Sequence, residues 1–145
     1  MENSNRIRVL FLCYGNACRS QMAEGWARSL KGDIIEPHSA GIIASGLSSR
    51  AARVMSEAGV DISAQQSNTI DQMRVRPYDY LVTLCPTAHG MCPPLAGAKV
   101  VHAPFDDPYT LCFGKEGSDQ EIKIFRRVRD EIKAFVETLP ESLER

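Results

Sequence analysis

The chain has 145 residues, 43% of them hydrophobic, and its 17 basic and 18 acidic side chains leave a formal net charge of -1. That composition predicts one globular domain over residues 1–145, and the balanced charge excludes a polyanion-binding surface, so no nucleic-acid partner is expected. No run reaches the roughly 18 apolar residues of a membrane span, and Met1-Glu-Asn-Ser-Asn-Arg-Ile-Arg leads into only Val9-Leu10-Phe11-Leu12. Neither a secretion signal nor a membrane partner is therefore expected, and the expected location is cytoplasmic.

Ile7 to Leu12 reads as a buried strand of a parallel sheet, ended by a Gly-containing loop. From Ser20 to about Lys31, Met22, Trp26 and Leu30 recur every four residues with Ala23 and Ala27 beside them, marking an apolar helical face. Ile34 to Ala40 is a second strand, and Pro37 within it predicts an edge position. Gly41 and Gly46 bracket a connection. Ser48 or Ser49 caps a second helix with Ala51, Val54, Met55 and Ala58 on one face, stopped by Gly59. A third strand runs from Tyr78 to Leu84, and residues 85–99, with Pro86, Gly90, Pro93, Pro94 and Gly97, read as a long connection. After Val100-Val101-His102, Ser118-Asp-Gln-Glu121 is a capping box opening a helix whose face is Ile122, Phe125, Val128, Ile132, Phe135 and Leu139. Alternating strands and helices predict a three-layer α/β/α sandwich with a four-stranded parallel sheet. Ligands of such sheets bind beyond the carboxyl ends of the strands, where the Cys13 loop, Cys85 and Asp106-Asp107 all fall.

Cys13-Tyr14-Gly15-Asn16-Ala17-Cys18-Arg19-Ser20 runs from a strand into a helix. Such a loop directs successive backbone N–H groups at its centre, and the helix N-terminus adds positive charge, which makes an anion cradle. Arg19 can grip two oxygens of a tetrahedral anion with its planar guanidinium, and the same field favours the thiolate of Cys13 as nucleophile. Gly15 permits close backbone approach, Asn16 can hold a left-handed turn, and Ser20 can donate its hydroxyl to Cys13. A Cys-to-Arg spacing alone arises by chance; the order strand, Gly/Asn turn, helix is what gives it meaning.

Val9-Leu-Phe-Leu-Cys13-Tyr-Gly-Asn-Ala-Cys-Arg19-Ser20-Gln-Met-Ala-Glu24 resembles the low-molecular-weight protein tyrosine phosphatase superfamily. Its Gln21-Met22-Ala23-Glu24 continuation is similar to the thioredoxin-coupled arsenate reductases within it, the phosphatases usually carrying Pro-Ile-Ala-Glu. Ser39-Ala40-Gly41, Val82-Thr83-Leu84-Cys85, Phe105-Asp106-Asp107-Pro108 and Phe125 to Ile132 match the same family, so the resemblance covers nearly the whole chain.

Asp107, held extended by Pro108, can protonate an oxygen leaving the anion, and the resemblance implies that it is the general acid. A turn aspartate is the other reading, and Asp106 is expected to be the turn residue. Cys85 and Cys92 lie seven positions apart, too far for a Cys-x-x-Cys motif. The resemblance implies a thiol relay in which Cys13 attacks arsenate, Cys85 attacks the adduct and Cys92 frees Cys13, leaving a Cys85–Cys92 disulfide for thioredoxin. Three other readings stay open for these residues. Cys85 can be a core residue with Cys92 a passenger, Cys85, His89 and Cys92 can contribute to a zinc site, and Cys13, Arg19 and Asp107 can serve a tyrosine phosphatase that needs neither later cysteine. A non-catalytic oxyanion-binding module is a further alternative. Cys18 is expected to pack, with a protective disulfide to Cys13 as its other reading; Cys112 has no assigned role, and His38 and His102 are expected to be structural.

Reductases of this group often bind potassium through positions matching Asn16, Glu24, Ser39 and an aspartate, but Asn68 stands at the last of these, which puts potassium dependence in doubt. No bound cofactor or metal is expected, and the expected state is a monomer. The Asp107-Pro108-Tyr109-Thr110 run partly resembles the phosphatases' Asp-Pro-Tyr-Tyr.

Overall fold

The computed structural model describes residues 5–144; the first four residues of the polar N-terminal stretch and Arg145 lie outside it. Strands β1 (Ile7–Cys13), β2 (Ile35–Gly41), β3 (Tyr80–Thr83) and β4 (Lys99–His102) form one parallel sheet in the order β2-β1-β3-β4. Val9 to Leu12 of β1 are fully buried, as a continuous apolar run covered on both faces requires. β2 lies at an edge, where Pro37 takes no donor away from a central ladder.

Among the described residues six α-helices are interspersed with the strands, α1 (Arg19–Lys31), α2 (Ser49–Glu57), α3 (Ile70–Met73), α4 (Pro86–Met91), α5 (Pro108–Leu111) and α6 (Asp119–Glu137), and a short 3-10 helix, Glu141–Leu143, ends the fold. Helix α1 packs on β2 and α6, burying Met22, Ala23, Trp26 and Ala27, and the Trp26 indole donates to the Arg129 carbonyl of α6 at 3.1 Å. Leu30, expected on the same face, is exposed in the last turn. In α2 the apolar face is Ala51, Val54 and Met55; Ala58 has become the exposed cap residue, and Gly59 with φ +89° ends the helix. These helices and the sheet share one core, in a three-layer α/β/α sandwich.

Two local expectations change. Residues 85–99 are not all irregular, because α4 occupies Pro86–Met91 with Pro86 in the first turn, the one helical position where a missing N–H costs nothing. Ser118 does accept from the Glu121 N–H at 3.3 Å, but the Glu121 carboxylate turns to Arg50 Nε at 2.8 Å instead of completing a box. A reciprocal capping box forms at Thr69 and Gln72 of α3.

The connection from β1 moves outward to β2, whereas that from β3 moves the other way to β4. The topological switch point therefore lies between the carboxyl ends of β1 and β3. The Leu84 N–H donates to the Leu12 carbonyl at 2.8 Å, so Cys13 and Cys85 leave adjacent strands side by side.

Candidate active site

Residues 13–20 form an inverted turn whose carbonyls face outward into protein. Ile42, Ile43, Ser45 and Ser48 donate backbone N–H groups to the carbonyls of Cys13, Tyr14, Gly15 and Ala17 at 2.8–3.3 Å. The Asn16 carbonyl accepts from Gln21 Nε2 and Ser67 Oγ, both at 3.0 Å. Turning the carbonyls outward leaves the amides for the inside of the turn, the arrangement that cradles an anion. Asn16 takes φ 48°, the left-handed conformation its residue type tolerates. Gly41 makes the fit possible, because a Cβ there would lie 2.6 Å from the Asn16 nitrogen.

Cys13 is buried at the end of β1, with its Sγ 2.9 Å from Ser20 Oγ. Asn16 Nδ2 donates to Ser20 Oγ at 2.8 Å and to Ser39 Oγ at 3.0 Å, while its Oδ1 accepts from the Asn68 N–H at 2.8 Å. Ser39 in turn donates to Glu24 Oε1 at 2.5 Å.

A cavity of about 400 Å³ opens over the turn, bordered among others by Cys13, Tyr14, Arg19, Leu47, Asp107 and Tyr109. Arg19 reaches across it, donating from Nη1 to the Phe105 carbonyl at 3.1 Å and lying 3.8 Å from Asp107 Oδ2. Asp107 meets both readings of it at once. Its Oδ1 caps α5 by accepting from the Tyr109 N–H at 3.0 Å, and its Oδ2 accepts from Thr110 Oγ1 at 3.0 Å, yet the carboxylate borders the cavity beside Arg19. The turn role expected of Asp106 therefore falls to Asp107, and Asp106 instead pairs with Arg127 on the outer surface at 3.3 Å. The Tyr109 hydroxyl donates to Ser48 Oγ, closing that wall onto the cap of α2.

Cys85 and Cys92 bracket α4. Cys85 is buried and caps the helix, its sulfur accepting from the Ala88 N–H at 3.4 Å; half-buried Cys92 follows the last turn, its thiol donating to the His89 carbonyl at 3.5 Å. Neither borders the cavity. His89 and His102 share Thr83 Oγ1 through their Nδ1 atoms at 2.9 and 2.8 Å, with rings stacked at 4.2 Å. His38 pairs with Glu36 at 2.7 Å, and that hydrogen bond holds the Glu36 carboxyl below its ordinary value. Among the described residues no group of three or more His, Cys, Asp or Glu side chains is placed to hold a metal ion. Cys18 is buried within the turn; burial first, then neighbouring Cys13, pushes its thiol well above the ordinary cysteine value. Burial and the Glu121 carboxylate raise Cys112 likewise.

The low-molecular-weight phosphotyrosine protein phosphatase family model matches residues 8–145. The chain belongs to this family. It is 46% identical over 140 residues to an arsenate reductase of Halalkalibacterium halodurans, covering 95% of this chain and 98% of that protein. A solved arsenate reductase in a phosphate-binding state superposes with a TM-score of 0.77 at 33% identity, covering 92% of this chain and 95% of the other. A thioredoxin-dependent arsenate reductase of Corynebacterium glutamicum gives 0.68 at 26% identity, covering 99% of this chain and 66% of that one.

The outer supports of the turn were not legible as such: Gln65, Ser67 and the cavity-lining Ser45 and Leu47 carry no motif, and Gln21 was visible as part of a motif but not as a support. One signal was available. Gln21, Glu24 and Arg28 recur at three and four residues, a polar stripe beside the apolar face of α1 that turns Gln21 and Glu24 into protein and leaves Arg28 exposed at its end.

Proposed function

We propose that this protein reduces arsenate to arsenite in a reducing, cytoplasmic setting, with Cys13, Cys85 and Cys92 as successive thiols and thioredoxin as the dithiol that restores them. The observation that carries the reading is the pair of cysteines bracketing a six-residue helix beside the Cys13 strand end, which a phosphatase does not need. The arsenate reductases among its relatives support the substrate, and the thioredoxin-dependent neighbour supports the reductant.

The turn amides of Tyr14 to Ser20 and the Arg19 guanidinium hold the oxyanion, while Asp107 faces it. The Cys13 thiolate attacks arsenic, and the oxygen that departs takes a proton from Asp107 and leaves as water. The Cys85 thiolate then attacks the Cys13 sulfur. A Cys13–Cys85 disulfide forms, the sulfur–arsenic bond breaks, and its electron pair stays on arsenic, which leaves as arsenite. The Cys92 thiolate next attacks Cys85, expelling the Cys13 thiolate and leaving the Cys85–Cys92 disulfide. A thioredoxin dithiol reduces that bond and is itself oxidised.

The last exchange requires α4 to open. Seven helical steps separate the Cα atoms of Cys85 and Cys92 by about 10 Å, whereas a disulfide needs about 4.4–6.8 Å. Cys85→Ser should abolish thioredoxin-coupled arsenate turnover while sparing hydrolysis of an aryl phosphate, whose ring the cavity beside Tyr14 and Tyr109 can accept. Arsenate turnover by Cys85→Ser at the wild-type rate would refute the relay.

A further inference from the structure

The loop's polar contacts form one continuous chain that ends on the surface. Arg28 Nη2 donates to Glu24 Oε2 at 2.5 Å; Ser39 Oγ donates to Glu24 Oε1 at 2.5 Å; Asn16 Nδ2 donates to Ser39 and Ser20; and Ser20 Oγ meets Cys13 Sγ at 2.9 Å. The direction of each bond follows from its neighbour. A carboxylate only accepts, so Ser39 must spend its proton on Glu24 and has only lone pairs left for Asn16. The Asn68 N–H fixes the Asn16 amide by occupying Oδ1, so both of its hydrogens go to the two serines. Ser20 therefore accepts from Asn16 and has its hydroxyl proton left for the Cys13 sulfur, the orientation that stabilises a thiolate.

We infer that Arg28 is a positioning residue for Cys13, and that its guanidinium supplies beside Glu24 the positive charge that the potassium ion implied by the resemblance would bring. The residues here do not fit that ion. Arg28 is bonded to one Glu24 oxygen and the Ser39 proton to the other, Asn16 Oδ1 is taken by a backbone amide, and the fourth position is the neutral Asn68. Arg28 is itself aimed from its far side, because Nη1 donates to Gln65 Oε1 at 2.8 Å and Gln65 Nε2 donates back to Gln21 Oε1 at 2.8 Å. Its side chain is 52% exposed against 12% for Glu24, so it can be replaced without opening the core, while the carboxylate it neutralises is largely covered.

The test is the rate at which iodoacetamide alkylates Cys13, followed by peptide mass mapping at fixed pH and ionic strength, alongside arsenate turnover. Alkylation needs no arsenate, so this inference can fail while the relay stands, and the reverse. Wild-type rates should be the same within twofold in potassium and sodium chloride. Arg28→Met should slow alkylation about three- to fivefold, the scale of a partly exposed ion pair, with unchanged thermal unfolding. Arg28→Lys should recover at least half of the loss, since a lysine four residues after Glu24 keeps the charge in reach. A potassium-stimulated wild type, an unaffected Arg28→Met, or an Arg28→Lys as slow as Arg28→Met would each overturn it.

Discussion

Two cysteine-bearing segments leave adjacent strands of the same sheet and are built in opposite ways. The 13–20 turn is buried at Cys13, Asn16, Cys18 and Ser20, and its carbonyls and side chains are bonded to three distant parts of the chain: residues 39–48, Ser67-Asn68 and Phe105. The 85–92 segment is a single short helix, with Gly90 in its interior, Met91 exposed and the His89–Thr83 bond as its main polar tether. Anion binding needs donors fixed before the substrate arrives, whereas disulfide exchange needs sulfurs that travel. The fold supplies a heavily bonded turn at the anion cradle and a weak helix where the proposed relay would need bonding distances to change.

The sharpest way to break that contrast is to disturb the rigid half. Gly41→Ala would place a methyl group 2.6 Å from the Asn16 nitrogen and against the Ile43 carbonyl, all of it backbone that no rotamer change can relieve. Displacing the turn by a fraction of an ångström should lower both aryl-phosphate hydrolysis and arsenate turnover by about a hundredfold. The comparison is steady-state kinetics of both reactions on protein whose circular dichroism is unchanged. Losses under tenfold would mean that the turn tolerates adjustment.

The opposite half can be stiffened. Gly90 lies inside α4 without positive φ, and a Cβ there meets nothing within 4 Å, so alanine is sterically free. Gly90→Ala should stabilise the helix by about 0.5–1 kcal/mol and, because the proposed exchange requires α4 to open, slow disulfide formation about two- to fivefold. Single-turnover trapping of the Cys85–Cys92 bond reads this step alone, and aryl-phosphate hydrolysis should not move. An unchanged trapping rate would show that helix opening does not limit the exchange.

The contrast also explains what could be read in the sequence. The turn was legible because its chemistry is contiguous: strand, Gly15, Asn16, Arg19 and helix follow one another in eight residues. The sheet was legible through short apolar runs alternating with helical segments, down to Pro37 marking an edge. Helix α4 was hidden because Pro86 and Gly90 signal irregular chain, although proline in a first turn is compatible with helix. The chain from Arg28 to Cys13 joins α1, β2 and the turn, and long-range juxtapositions of that kind leave no local pattern. Asp107 fell between, since one Asp-Pro sequence serves both a helix cap and a cavity wall.

The smallest expected effect concerns the thiol that lies within the rigid turn yet has no part in the proposed exchange. Cys18 is buried next to Cys13, and burial holds its thiol well above the ordinary range, so it stays protonated at pH values where an unshifted cysteine ionises. A protonated, covered thiol is neither nucleophile nor exchange partner, and its contribution is volume. Cys18→Ala should therefore leave both activities within about twofold, at a stability cost of about 1 kcal/mol for the lost packing. Neutral-pH alkylation should correspondingly modify Cys13 and half-buried Cys92 well before Cys18. Should Cys18 be modified as fast as Cys13, the proton assigned to it is wrong, and the turn would hold two competing nucleophiles where the contrast between the two segments requires one.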